Sequence, residues 1–84
     1  MRIALDFDKT YTLDPPMWNA WIDMARKRDH EVICVTMRYP SESIEMPCEV
    51  VYTSRQAKGP FMLALDRKPD VWIDDSPHWI FTDG

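Results

Sequence analysis

Two short runs, Arg2–Phe7 (RIALDF) and Glu31–Thr36 (EVICVT), place apolar residues side by side instead of at every second position. A strand with one wet face alternates, whereas a continuous apolar run suits a strand buried on both faces, as in a parallel sheet covered by helices. Two further runs repeat the pattern, Glu49–Thr53 (EVVYT) and Val71–Ile73 (VWI). Helical stretches lie between them, and strands alternating with helices predict a layered α/β fold around a parallel sheet.

The helices are announced by their ends. Asp14 before Pro15-Pro16 is an N-cap followed by proline at the first helical position, which starts a helix running to about Arg28. Trp18, Trp21, Ile22 and Ala25 recur along it at three- and four-residue steps, so the two tryptophans read as core. A second helix spans Lys58–Leu65, with Phe61, Met62 and Leu65 on one face and Pro60 tolerated in the first turn. The proline-bounded stretch Arg38–Pro47 reads as a loop with at most one helical turn, and Trp79–Thr82 as a candidate fifth short strand.

At 84 residues the chain has room for one domain, 1–84, and one site. Ten Lys and Arg against fourteen Asp and Glu give a net charge of -4, which disfavours general binding to duplex nucleic acid. Cys34 and Cys48 are too far apart for a CxxC site and lack clustered histidines, so they read as reduced thiols instead of zinc ligands. No signal-like or membrane-spanning apolar stretch is present, which predicts a soluble, cytoplasmic protein with no membrane partner.

Chemistry gathers at the predicted strand ends. Asp6 and Asp8 follow the first strand, Thr36 closes the second, Asp74 and Asp75 follow the fourth, and Lys58 opens the second helix. In open α/β sheets ligands bind beyond the carboxyl ends of the strands, so residues scattered in sequence can converge there. Carboxylates without supporting His or Cys suit a hard cation such as Mg²⁺, with a phosphate completing its shell. An Asp can also attack a phosphoryl group, a second Asp can serve as acid and then base, and Lys and Thr can neutralise and hold the phosphoryl oxygens.

These residues resemble the haloacid dehalogenase-like phosphohydrolases. Asp6-Phe7-Asp8-Lys9-Thr10 (DxDxT) is similar to that family's first motif, VICVT ending in Thr36 to its second, Lys58 to its third and WIDD with Asp74-Asp75 to its fourth, in the family's order along nearly the whole chain. The resemblance implies a small Rossmann-like three-layer fold with the first strand central, the second and third to one side and the fourth to the other. It implies a Mg²⁺-dependent phosphomonoester hydrolase with an aspartyl-phosphate intermediate. Asp6 is then nucleophile and metal ligand, Asp8 is acid/base and a metal ligand through its backbone carbonyl, and Asp74 is the other metal ligand. Thr36 holds the phosphoryl group and Lys58 stabilises its charge. Asp75 ligates through water or orients Lys58, and Thr10 shapes the turn after the first strand.

The chain departs from that family at two points. Lys9 stands where a glycine is common, adding positive charge at the mouth or pointing to solvent, and neither Tyr11–Val35 nor Met37–Ala57 is long enough for a cap domain. Arg38 and Arg55 follow the second and third strands and form a local positive rim with Lys9 and Lys58, or are solvated loop arginines. His30 and His78 read as surface residues. The substrate is expected to be a phosphorylated small molecule or macromolecular end at an open site, with a homo-oligomer in which Trp72, Trp79 or Phe81 lies near the contact. The alternatives are a catalytically idle binding module and a receiver-like phosphoacceptor domain, whose motif order differs.

Overall fold

The computed structural model describes residues 1–84. Four strands, β1 (Arg2–Leu5), β2 (Glu31–Thr36), β3 (Glu49–Tyr52) and β4 (Val71–Ile73), form one all-parallel sheet in the order β3-β2-β1-β4. Helix α1 (Pro15–Lys27) connects β1 to β2, and α2 (Lys58–Ala64) connects β3 to β4. The expected central place of β1 and the expected flanks are both present. A receiver-type flavodoxin-like sheet runs 2-1-3-4-5, and this order matches the Rossmann half 3-2-1-4 instead.

Burial explains the uninterrupted apolar runs. Leu5, Val32, Ile22 and Ala25 form one core with α1, and Ala4, Ile33, Val35, Val51 and Met62 form another with α2. Neighbouring strand residues point to opposite faces, so β1, β2 and β4 supply both cores and the molecule is a helix–sheet–helix sandwich. Trp18 and Trp21 pack edge to face on the α1 side, as their helical spacing predicts. Trp72 on the edge strand β4 is half-buried and packs on the α2 side, Trp79 is 38% exposed and Phe81 is 78% exposed. No helix is long and apolar enough to cross a membrane.

Element ends differ from expectation where the backbone has other partners. Strand β1 stops at Leu5, after which Asp6 turns into the site and Phe7 packs on the α1 side, and β3 stops at Tyr52. The expected fifth strand at Trp79–Thr82 is a 3₁₀ turn, Pro77–Ile80, because Pro77 fixes φ and lacks the N–H a ladder needs. Ile80 packs so closely on α2 that a Cβ at Gly59 would lie 2.8 Å from the Ile80 carbonyl oxygen. A further unanticipated 3₁₀ turn spans Tyr11–Leu13.

Helix α2 ends at Ala64, so Leu65 caps it and is exposed instead of joining the packing face. Asp66 follows with φ 56°, and the Asp66 and Arg67 amides donate to Leu63 and Met62 carbonyls, a Schellman closure with Asp where glycine is usual. Left-handed backbone costs an L-residue ~1–2 kcal/mol, and glycine gives back ~0.5–1 kcal/mol of that as chain entropy. Asp66→Gly is therefore expected to raise Tm by a few degrees in a thermal melt; a fall would mean that the Asp66 side chain stabilises the cap.

Candidate active site

The sheet order changes direction between β1 and β4, and such a switch point opens a crevice at the carboxyl ends of the strands. Asp6 and Asp74 each follow a residue of the paired Leu5–Ile73 register, and the Asp6 amide extends that ladder to the Ile73 carbonyl at 2.9 Å. Two carboxylates 68 residues apart in sequence are thus fixed side by side.

Lys58 joins them. Its Nζ donates to Asp6 Oδ1 at 2.8 Å and to Asp74 Oδ2 at 2.6 Å, and the Lys58 side chain is only 4% exposed. Burial pushes the Lys58 amine down, but the two carboxylates outweigh it and its pKa lies above the usual lysine value. Burial pushes the Asp6 carboxyl up to about 6 even though Lys58 pulls it down. The other Asp74 oxygen accepts from the Ser76 amide at 2.9 Å, which fixes the rotamer.

Asp75 completes a group of three carboxylates, Asp6, Asp74 and Asp75, whose candidate ligand oxygens lie within 4.8 Å of one another. Asp75 makes no bond to Lys58, whose two partners are Asp6 and Asp74. It meets Thr10, whose Oγ lies 3.4 Å from Asp75 Oδ1 and 3.1 Å from Asp6 Oδ2 and accepts from the Asp75 amide at 3.3 Å. Thr10 therefore does more than shape its turn: it ties the loop after β1 to the loop after β4.

Asp8 stands apart from this group. Arg38 grips it with two hydrogen bonds, Nε to Oδ2 at 3.0 Å and Nη2 to Oδ1 at 2.8 Å, and stacks over Phe7 with 5.3 Å from Cζ to the ring centre. The guanidinium holds the Asp8 carboxyl below the usual carboxylate range. Thr36 is buried, and its hydroxyl oxygen accepts from the Arg38 amide at 3.3 Å, leaving the hydroxyl proton free to be donated. Lys9 takes up φ 60°, so the turn keeps the left-handed backbone that glycine would adopt most readily.

Asp6, Asp8, Lys9, Thr36, Arg38, Lys58, Asp74 and Asp75 all line one open cavity of about 440 Å³. Thr10 lies behind it. Arg55 and Trp79, expected at the rim and near a covering contact, also line it, as do Met37, Ser76 and Gly84, which the sequence did not mark; the first two of these lie beside predicted site residues, and proximity in chain was their one available signal. Cys34 is buried and Cys48 half-buried, and both are free thiols outside this group. No protein-family profile matches the chain, and no curated protein or solved structure is significantly similar to it.

Proposed function

We propose that this chain is a phosphomonoester hydrolase of the haloacid dehalogenase-like type, with Asp6 as nucleophile and Mg²⁺ as cofactor. The observation that carries the reading is the ion-paired set Asp6–Lys58–Asp74, drawn from three distant elements to the switch point of the sheet, with Thr36 opening on the same cavity. A structural ion pair needs one carboxylate per lysine, and here one buried ammonium holds two, with a third, Asp75, beside them.

The donor set fits the cation. Three carboxylates and one ammonium leave two negative charges, every donor is a hard oxygen, and no thiol or imidazole is among them. Asp6, Asp74 and Asp75 are the side chains that would hold it. When bound, Mg²⁺ supplies charge neutralisation for the phosphoryl oxygens.

In the reaction, an Asp6 carboxylate oxygen bonds to phosphorus as the bond to the alcohol oxygen breaks, and Asp8 gives that oxygen a proton. Asp8 then takes a proton from water as the water oxygen attacks phosphorus, releasing phosphate and restoring Asp6. Lys58 and the Thr36 hydroxyl hold the phosphoryl oxygens throughout.

The Arg38 grip on Asp8 favours one other reading, a catalytically idle binding module, because a clasped and ionised Asp8 has no proton to give. Phosphate release from an aryl phosphate, with Mg²⁺ against a chelator, separates the two. The hydrolase releases phosphate in the presence of Mg²⁺ alone; an absence of release across nucleotide, sugar and aryl phosphates selects the idle module.

A further inference from the structure

The carboxyl edge of the sheet is sorted by charge. Crossing it from β4 to β3, the charged cavity-lining residues are Asp74 and Asp75 after β4, Asp6, Asp8 and Lys9 after β1, Arg38 after β2, and Arg55 and Lys58 after β3, the Lys58 ammonium reaching back to Asp6 and Asp74 where it is already paired. One end attracts a cation, and the other attracts an anion.

The cationic end is built rather than floppy. Ser54 and Arg55 both adopt left-handed backbone, φ 52° and 68°, a conformation disfavoured for L-residues, and no glycine relieves it. Four backbone hydrogen bonds pin the turn: Ser54 N to Arg38 O at 3.2 Å, Arg55 N to Met37 O at 2.8 Å, Gln56 N to Thr53 O at 3.1 Å and Gly84 N to Arg55 O at 2.8 Å. The guanidinium this turn presents is loosely engaged. It sits 5.5 Å over the Tyr39 ring, and its bonds to the Met37 carbonyl and to Glu42 are both 3.5 Å long, whereas Arg38 is taken up by two short bonds to Asp8. Lys9 on the facing loop takes part in none of the ion pairs.

We propose that Arg55, together with Lys9, binds a second anionic group of the substrate, so that preferred substrates are phosphomonoesters carrying another phosphate or a phosphodiester. This rests on the phosphohydrolase reading for the position of the reacting phosphate. β1 and β3 are two strand spacings apart, roughly 10 Å, a gap that two phosphates on one sugar and the long Arg55 side chain bridge together. The cavity of about 440 Å³ is larger than a phosphate needs, and the apolar side chains in its lining, Met37 and Trp79, offer a face for a planar body. A nucleotide bearing two anions combines these features.

The test compares kcat/KM for adenosine 3′,5′-bisphosphate with that for adenosine 3′- and 5′-monophosphates, in the wild type and in Arg55→Gln, Arg55→Gly and Arg55→Lys. The wild type is expected to favour the two-anion ester by about tenfold, the Gln and Gly variants to lose that ratio, and the Lys variant to regain part of it. Arg55→Gly suits the left-handed backbone and keeps the turn. A 5′-phosphorylated dinucleotide distinguishes the sources: an Arg55-dependent preference for it over the bisphosphate assigns a strand end, and the reverse assigns a free nucleotide. A ratio that none of the variants moves overturns the proposal and leaves the hydrolase reading standing. If no ester is hydrolysed, that reading falls and calorimetric Kd values for the same ligands decide the subsite. Tighter binding of the bisphosphate that Arg55→Gln removes upholds the subsite, and equal affinities overturn it.

Discussion

Asp6→Asn is expected to abolish Mg²⁺-dependent phosphate release, a loss of ~10⁴-fold or more in kcat, while leaving the fold as stable as before. The amide keeps the size of the carboxylate and an oxygen that can accept from Lys58, but it cannot form the acyl phosphate. Burial has pushed the Asp6 carboxyl up to about 6, so at pH 7 the fold holds an ionised group that it would bind more readily as the neutral acid. Removing that charge relieves the site, and Tm is expected to hold or rise. The sign also sets the pH profile: a raised carboxyl takes up its proton as pH falls through about 6, and activity falls with it. Added Mg²⁺ favours the carboxylate and moves the inflection to lower pH. A variant with wild-type activity would remove Asp6 from the chemistry, and one that unfolds would make it a structural ion-pair partner.

What the sequence made legible follows from how local each signal is. Leu5, Cys34 and Ile73 stand in uninterrupted apolar runs, so strand type and the polar residues just beyond were readable, and the sheet brings those residues together. The motif resemblance put β1 at the centre, which no run of apolar residues does by itself. Partners of long side chains were not readable. Arg38 reaches Asp8 across 30 residues and Arg67 reaches Glu49 across 18, distances fixed only once the strands are in register. The Ser54-Arg55 turn carries neither glycine nor asparagine, the usual marks of a left-handed backbone, because tertiary hydrogen bonds impose it. Trp79-Ile80-Phe81 has strand composition, but just Ile80 is buried, and it fills the space left by Gly59.

Lys58→Met is expected to be the most destabilising single change at the site. Methionine fills similar space and removes the one cation that both Asp6 and Asp74 contact, leaving buried carboxylates uncompensated, at a cost of about 3–5 kcal/mol. The cost depends on pH. In the wild type the lysine pKa is raised, so its contribution is fully present through neutral pH and is lost only as pH rises through that raised value. In the variant nothing pulls the Asp6 pKa down, so it rises further above 6. The penalty is then largest where Asp6 is forced to ionise and shrinks as pH falls and the carboxyl takes up a proton. Urea unfolding at pH 5 and pH 8 is expected to show the variant nearer to the wild type at pH 5. Mg²⁺ restores positive charge to the same carboxylates, so it is expected to raise Tm more in Lys58→Met than in the wild type, by an amount that grows with the logarithm of its concentration. An equal penalty at both pH values, untouched by Mg²⁺, would reduce Lys58 to a packing residue and remove the electrostatic argument for a cation at this switch point.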